Sequence, residues 1–240
     1  MFTYVTVLAG VLLIAAGGVP ASAQSPEQLR KWCFEDASND QTIQGCTGVI
    51  KANREKPQDL ANALFNRGSA YAGKFQQERA IQDFDQAIKL SPTFARAFQQ
   101  RGLAYANKRQ YERAIKDYDQ AIKLKPDEAS AFELRCSARM AIGPLDAAVA
   151  DCSEALRLKP GSAFQGRGLA LLKLGYFDAA LADFEAALQA NPKDVASLFG
   201  RGVVRRKRGD IAGGDADIAA ATAASRATVE HLGTIGITAK

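Results

Sequence analysis

Four cysteines, one histidine and a run of arginines are the residues of this chain best suited to chemistry. The cysteines fall in two sequence-local pairs, Cys33 with Cys46 and Cys136 with Cys152. Neither pair has the C-x-x-C spacing of a redox site, and no histidine lies near enough to help build a zinc site. Two disulfides are the stronger reading and metal binding the weaker. The sole histidine, His231, has no nucleophile or ligand partner at a telling spacing and reads as a surface residue. A phosphate-cradling glycine loop and a nucleophile elbow are both absent from the sequence. The acidic residues follow a helical period, so the expectation is a non-catalytic chain without metal or cofactor. The densest basic cluster is Arg205, Arg206, Lys207 and Arg208. It is either a solvated helix end, where cations complement the helix dipole, or a contact for an anion or an acidic partner. Arg208-Gly209-Asp210 spells an adhesion tripeptide, but it falls where a turn is expected.

Composition narrows the class. At 47% hydrophobic and 24% charged, the chain can bury a core and is not disordered by composition. The net charge of +5 would favour an acidic partner, yet it lacks the dense basic stripe of a nucleic-acid binder. Residues 1–23 carry no charge: an apolar run from Val5 to Ala16 is broken by Gly17, Gly18 and Pro20 and followed by Ala21-Ser22-Ala23. This has the form of a signal peptide cleaved near Ala23, although the usual Lys or Arg before the run is missing. The expectation is a periplasmic or secreted protein whose mature form does not span the membrane. The alternative is an uncleaved anchor, since the stretch is just long enough to span. Export would favour disulfides.

The elements that position these residues repeat. Pro92, Pro126, Pro160 and Pro192 recur at spacings of 34, 34 and 32 residues. Between them RGSAYAGKFQQERAIQDFDQAIKLSP is followed by RGLAYANKRQYERAIKDYDQAIKLKP, then by two drifting copies and a fifth without its closing proline. Each copy reads as two helices. In the second copy Phe98, Gly102 and Tyr105 share one face of the first helix, and Ala114, Tyr118 and Ala121 one face of the second. A single hairpin has too little core, so neighbours must stack.

From 61 to 224 the order of small, aromatic and proline positions resembles the tetratricopeptide repeat. The resemblance implies an all-α, right-handed superhelical solenoid of antiparallel helix pairs, with repeats at 61–94, 95–128, 129–160, 161–194 and 195–224. It also implies a scaffold that binds a protein or peptide in a concave groove lined by the first helices. Residues 24–56 read as a degenerate hairpin carrying the first cysteine pair, since Ile43–Lys51 parallels Ile81–Lys89 and puts Cys46 at the phase of Phe84. Cys136 replaces the small residue of its first helix and Cys152 the aromatic of its second, positions that face each other across the hairpin. Residues 225–240 break the period, and Val229, Leu232, Ile235 and Ile237 can cap the open end of the stack.

Every copy has an arginine before the small residue of its first helix: Arg67, Arg101, Arg135, Arg167 and Arg201. Every copy also has an aspartate at one phase of its second helix: Asp83, Asp117, Asp151, Asp183 and Asp217. The two positions lie at similar heights in an antiparallel hairpin. We read them as a ladder of Arg–carboxylate pairs, within or between repeats, suited to the planar guanidinium fork. The alternative is that the arginines line the groove and hold an acidic ligand. Arg139, Leu171 and Arg205 stand where Tyr71 and Tyr105 stand in the earlier copies. The family's groove maps here onto two columns. One runs Phe65, Gln99, Glu133, Gln165 and Phe199; the other runs Ser69, Leu103, Ser137, Leu169 and Val203. Lacking Lys and Arg, these columns point to a helix or extended segment with apolar anchors rather than a carboxylate clamp. Self-association, with the groove or the open end binding a second copy, is the other reading.

Overall fold

The computed structural model describes residues 24–238; the expected leader, residues 1–23, lies outside the described residues. Within them the chain is all-α, a solenoid of antiparallel helix pairs. α1 (Pro26–Phe34) pairs with α2 (Asn39–Ala52), α3 (Pro57–Gly73) with α4 (Gln77–Leu90), and α5 (Ala95–Asn107) with α6 (Tyr111–Leu124). α7 (Ala129–Ile142) pairs with α8 (Leu145–Leu158), α9 (Phe164–Leu174) with α10 (Phe177–Ala190), and α11 (Val195–Lys207) with α12 (Ile211–Ala224). α13 (Arg226–Thr234) follows. No helix among the described residues is long and apolar enough to cross a membrane.

Local chemistry sets the helix ends. Ser25 Oγ accepts from the Gln28 N–H and Pro26 opens α1; Ser38 and Gln41 form a reciprocal capping box on α2. Second helices end two residues before Pro92, Pro126, Pro160 or Pro192, and the intervening capping residue's N–H closes the last turn. The fifth copy has Arg226 where the proline would stand. Ser225 therefore both ends α12 and caps α13, its Oγ accepting from the Thr228 N–H, and the chain re-enters a helix at once. The turn inside each repeat needs one left-handed residue. Gly143, Gly175 and Gly209 supply it in copies three to five, whereas Phe75 (φ 58°) and Arg109 (φ 57°) adopt it in the first two. Phe75 thereby points its ring into solvent, 87% exposed.

Close approach within a pair depends on a small residue facing an aromatic. A Cβ at Gly68 would lie 2.8 Å from the Phe84 ring, and one at Gly102 would lie 2.7 Å from Tyr118. In the third copy a disulfide joins Cys136 and Cys152 at these positions, and a second joins Cys33 and Cys46. All four sulfurs are buried. First helices of successive pairs also touch, α3 with α5 through α9 with α11, while no two second helices make comparable contact. The first helices thus form the inner, concave side.

The arginines and aspartates join the layers. In each of the five copies the arginine's Nε and Nη2 donate to the two carboxylate oxygens of the aspartate 16 residues on, at 2.6–3.0 Å. The third donor, Nη1, reaches back to the preceding hairpin: Arg67 to Thr47, Arg101 to Asp85, Arg135 to Asp119 and Arg167 to Ser153. Four of the five rungs are therefore both intra- and inter-repeat, while Arg201 bonds only Asp217 of its own hairpin. The aspartates are 3–7% exposed, and the guanidiniums are engaged between helices rather than free in the groove. Asp117 holds Arg101 in its charged form, while burial pushes the Asp117 carboxyl up against the pull of that arginine. Where arginine replaces the tyrosine, in the third and fifth copies, it joins the same aspartate: Arg139 binds Asp151 at 2.7 Å and Arg205 binds Asp217 at 2.9 Å. In the first two copies Arg79 and Arg113 instead stack 5.6 Å above the rings of Tyr71 and Tyr105.

A broken rung strands a largely desolvated charge. Asp117→Ala is expected to cost about 3 kcal/mol in urea unfolding. The Arg101→Ala/Asp117→Ala double variant should lose clearly less than the sum of the singles, and strict additivity would mean that the pair does not interact. Replacing Cys136 and Cys152 together by alanine should lower stability by about 3 kcal/mol on the loop-entropy estimate. In a thermal melt that is a drop of roughly 10 °C.

Candidate functional site

The first column of groove positions serves the stack more than the open face. Phe65 is buried, with ring centroids 4.9 Å from Phe94 and 5.8 Å from Phe84, and the Arg96 guanidinium lies 5.1 Å above it. Gln99 Nε2 donates to Ser130 Oγ at 2.8 Å, and Gln165 Nε2 to the Asp194 carboxylate at 3.2 Å, each tying one first helix to the start of the next. Glu133 is half-buried and Phe199 buried. Phe65 and Phe199 are thus not open anchors: successive first helices pack directly on one another, and side chains at this register fall into that contact.

The second column lies closer to the concave surface. Ser69 and Leu103 are half-buried and Ser137 is exposed, whereas Leu169 and Val203 are buried. The last two are covered in part by the C-terminal segment, which does more than cap the end. α13 packs on α11 and α12, but Thr228, His231, Leu232 and Ile235 also form one wall of a cavity of about 520 Å³ on the concave side. Opposite them stand Leu103 of α5, Leu134 and Ser137 of α7, and Gln165 and Leu169 of α9. His231 is exposed at this wall. A second recess, open and polar, lies where the α1–α2 turn meets α3 and α5, between Glu35, Asp36, Asn66, Ser69 and Arg96. Asn66 Nδ2 there donates to the Cys33 carbonyl at 2.9 Å.

Two walls escaped the repeat alignment. The α1–α2 turn lies outside the full copies, and α13 breaks the period. The signal for α13 was its run of spaced apolar residues, read as an end cap. Among the described residues no group of three or more His, Cys, Asp or Glu side chains is placed to hold a metal. The central cavity offers apolar contact with a few polar groups, which suits binding of a side-chain-bearing segment.

The basic cluster is largely neutralised where it stands. Arg205 pairs with Asp217, Arg206 with Asp215 at 2.9 Å and Arg208 with Asp178 at 3.1 Å. Three of its four cations thus already hold a carboxylate, which leaves an added anion little to gain. Arg208 caps α11 and Gly209 turns at φ 91°, while the Asp210 carboxylate accepts from the Gly213 N–H, so the tripeptide is a helix–turn–helix junction. Inorganic phosphate is expected to leave the melting temperature unchanged, because a ligand held by the folded state raises it by mass action. A dose-dependent rise would assign the cluster to anion binding.

The comparisons with known proteins agree with this architecture. Tetratricopeptide-repeat family models match residues 61–94, 95–128 and 166–228, together more than half of the chain. No curated protein matches. Among solved structures, a tetratricopeptide repeat protein from Parabacteroides merdae superposes with a TM-score of 0.70 at 18% identity, covering 83% of this chain and 80% of its own. YrrB, a protein of the same repeat type with an unusual peptide-binding site, gives 0.62 at 20% identity, with 77% and 94% covered. MamA from Desulfovibrio magneticus gives 0.62 at 17%, with 69% and 95% covered. At such identities the likeness establishes the fold and not the residues of a site. The repeats matched, the paired helices and the solenoid they build place this chain in the tetratricopeptide-repeat family.

Proposed function

We propose that this protein is a non-catalytic interaction scaffold that receives a protein or peptide segment with apolar anchors on its concave face. The observation that carries the reading is the central cavity between α5, α7, α9 and α13. Leu103, Leu134, Leu169, Leu232 and Ile235 give it an apolar lining, and Ser137 and Gln165 supply the few polar groups that fix orientation. The ladder arginines of the first helices are taken up in the rungs, which leaves the cavity suited to apolar recognition. The peptide-binding site of the similarly folded YrrB is in keeping with it. We further propose export to the periplasm or beyond. The uncharged, apolar start of the chain and two buried disulfides support this, because such bridges persist in oxidising compartments.

The test is selection of peptides from a displayed random library on the immobilised protein, followed by affinity measurement on Leu103→Asp and Ser137→Arg. Both positions face the cavity without sitting in a rung. Each variant should weaken selected peptides at least about tenfold, or 1.4 kcal/mol, with helix content and melting temperature retained. Full affinity in both variants would move binding off this face and overturn the reading.

A further inference from the structure

The C-terminal segment is held differently from every other part of the solenoid. The five hairpins from α3 to α12 each carry an Arg–Asp rung, and bonds such as Gln99–Ser130 tie neighbours together. Among the described residues, no hydrogen bond or ion pair joins 226–238 to α1–α11. Its polar contacts are local: Thr228 to Ser225, the Thr234 hydroxyl to the His231 carbonyl, and the Ile235 and Ile237 N–H groups to the Leu232 carbonyl. What docks it is apolar. Leu232 is 3% and Ile237 2% exposed, in one core cluster with Leu169, Leu172 and Val203.

This docking lies on the concave side, beside two open recesses. Leu232 borders the central cavity, and Ile237 borders a second one of about 340 Å³ beside Leu172, Val203 and Lys207. The segment is thus held by apolar burial at the edge of solvent-accessible recesses rather than inside the frame of rungs. Its apolar residues run Val229, Leu232, Ile235 and Ile237, opening with the three-residue spacing by which an amphipathic helix enters a groove.

We propose that residues 226–238 are an intramolecular ligand of the concave face. They occupy the stretch built by α9 and α11. A partner of the same chemistry, an amphipathic segment with Leu or Ile at this spacing, binds along that stretch by displacing them. The inference rests on the concave face being the binding surface, and it adds the class of partner and an autoinhibitory contact. A docked segment lowers the apparent affinity of such a partner by the fraction of molecules in which the face is open.

The experiment uses the full chain and a labelled peptide of residues 225–240 added in trans. The probe is the chain's own segment, so the result does not depend on any foreign partner. Failure of library peptides at Leu103 and Ser137 leaves this arm standing, and the reverse also holds. The peptide should bind the Leu232→Asp/Ile237→Asp variant at least about tenfold more tightly than the unsubstituted protein. A photoreactive group in place of the peptide's Ile237 should then crosslink to α9 or α11. Equal binding to both proteins, no binding to a folded double variant, or crosslinks elsewhere would overturn the proposal. Should the double variant fail to fold, Gly236→Val decides. Gly236 turns at φ 85° to return Ile237 to the face, and a β-branched residue opposes that conformation. Tighter peptide binding by Gly236→Val supports displacement, and unchanged binding refutes it.

Discussion

A guanidinium buried between two helices has to satisfy its donors, and in this protein it does so by reaching in two directions. Arg101 closes a two-pronged bond on Asp117 across its own hairpin and turns its remaining nitrogen to Asp85 in the hairpin before. The same geometry recurs with Arg67 and Thr47, Arg135 and Asp119, and Arg167 and Ser153. Solenoid stability is the sum of each repeat and its interfaces with its neighbours. A side chain that bonds both its own repeat and the preceding one couples those terms. It also fixes the height at which successive hairpins stack, because the planar fork tolerates little offset.

Departures from the repeat make sense around that constraint. The third and fifth copies lose the tyrosine that Arg79 and Arg113 cover in the first two. Arg139 and Arg205 fill the place and add a second cation to Asp151 and Asp217. The third copy also exchanges a glycine-on-aromatic contact for a disulfide. The first hairpin has Gly45 at the phase of the aspartate and so no rung; Gly45 instead lies against the backbone of α1, and a disulfide closes that pair. One bridge thus closes the hairpin that lacks a rung, and the other replaces the glycine-on-aromatic contact of the third copy.

Because the ladder arginines turn inward, the concave surface around α5, α7 and α9 is largely apolar. Phe65 and Phe199, at groove positions by register, are drawn into contacts between successive helices. In the proposed reading, binding character comes from Leu103, Leu134 and Leu169, and from α13, the element without charged ties to the rest. Charged rungs along the stack and purely apolar docking at the end give the two parts different attachments, the contrast on which the proposed exchange with a ligand rests.

Much of this was legible in the residues alone. The 34-residue spacing of prolines, the small and aromatic positions and the paired arginine and aspartate phases determined the helix pairs, their stacking and the rungs within each hairpin. These features are set by contacts that repeat at fixed sequence separation, so a register alignment exposes them. The cysteine pairs were readable for the same reason. What only the tertiary structure decided lies where contacts cross registers. The third donor finds Thr47, Asp85, Asp119 and Ser153 in successive preceding hairpins, and Arg201 makes no such bond. The curvature of the stack buries Phe65 and Phe199 while leaving Ser137 open. Residues 226–238 fold along the concave side as well as over the end, because Arg226 in place of a closing proline lets the helix restart at once and Gly236 turns Ile237 back onto α9 and α11. Periodicity determines what every repeat shares, and packing between repeats decides what becomes of each position.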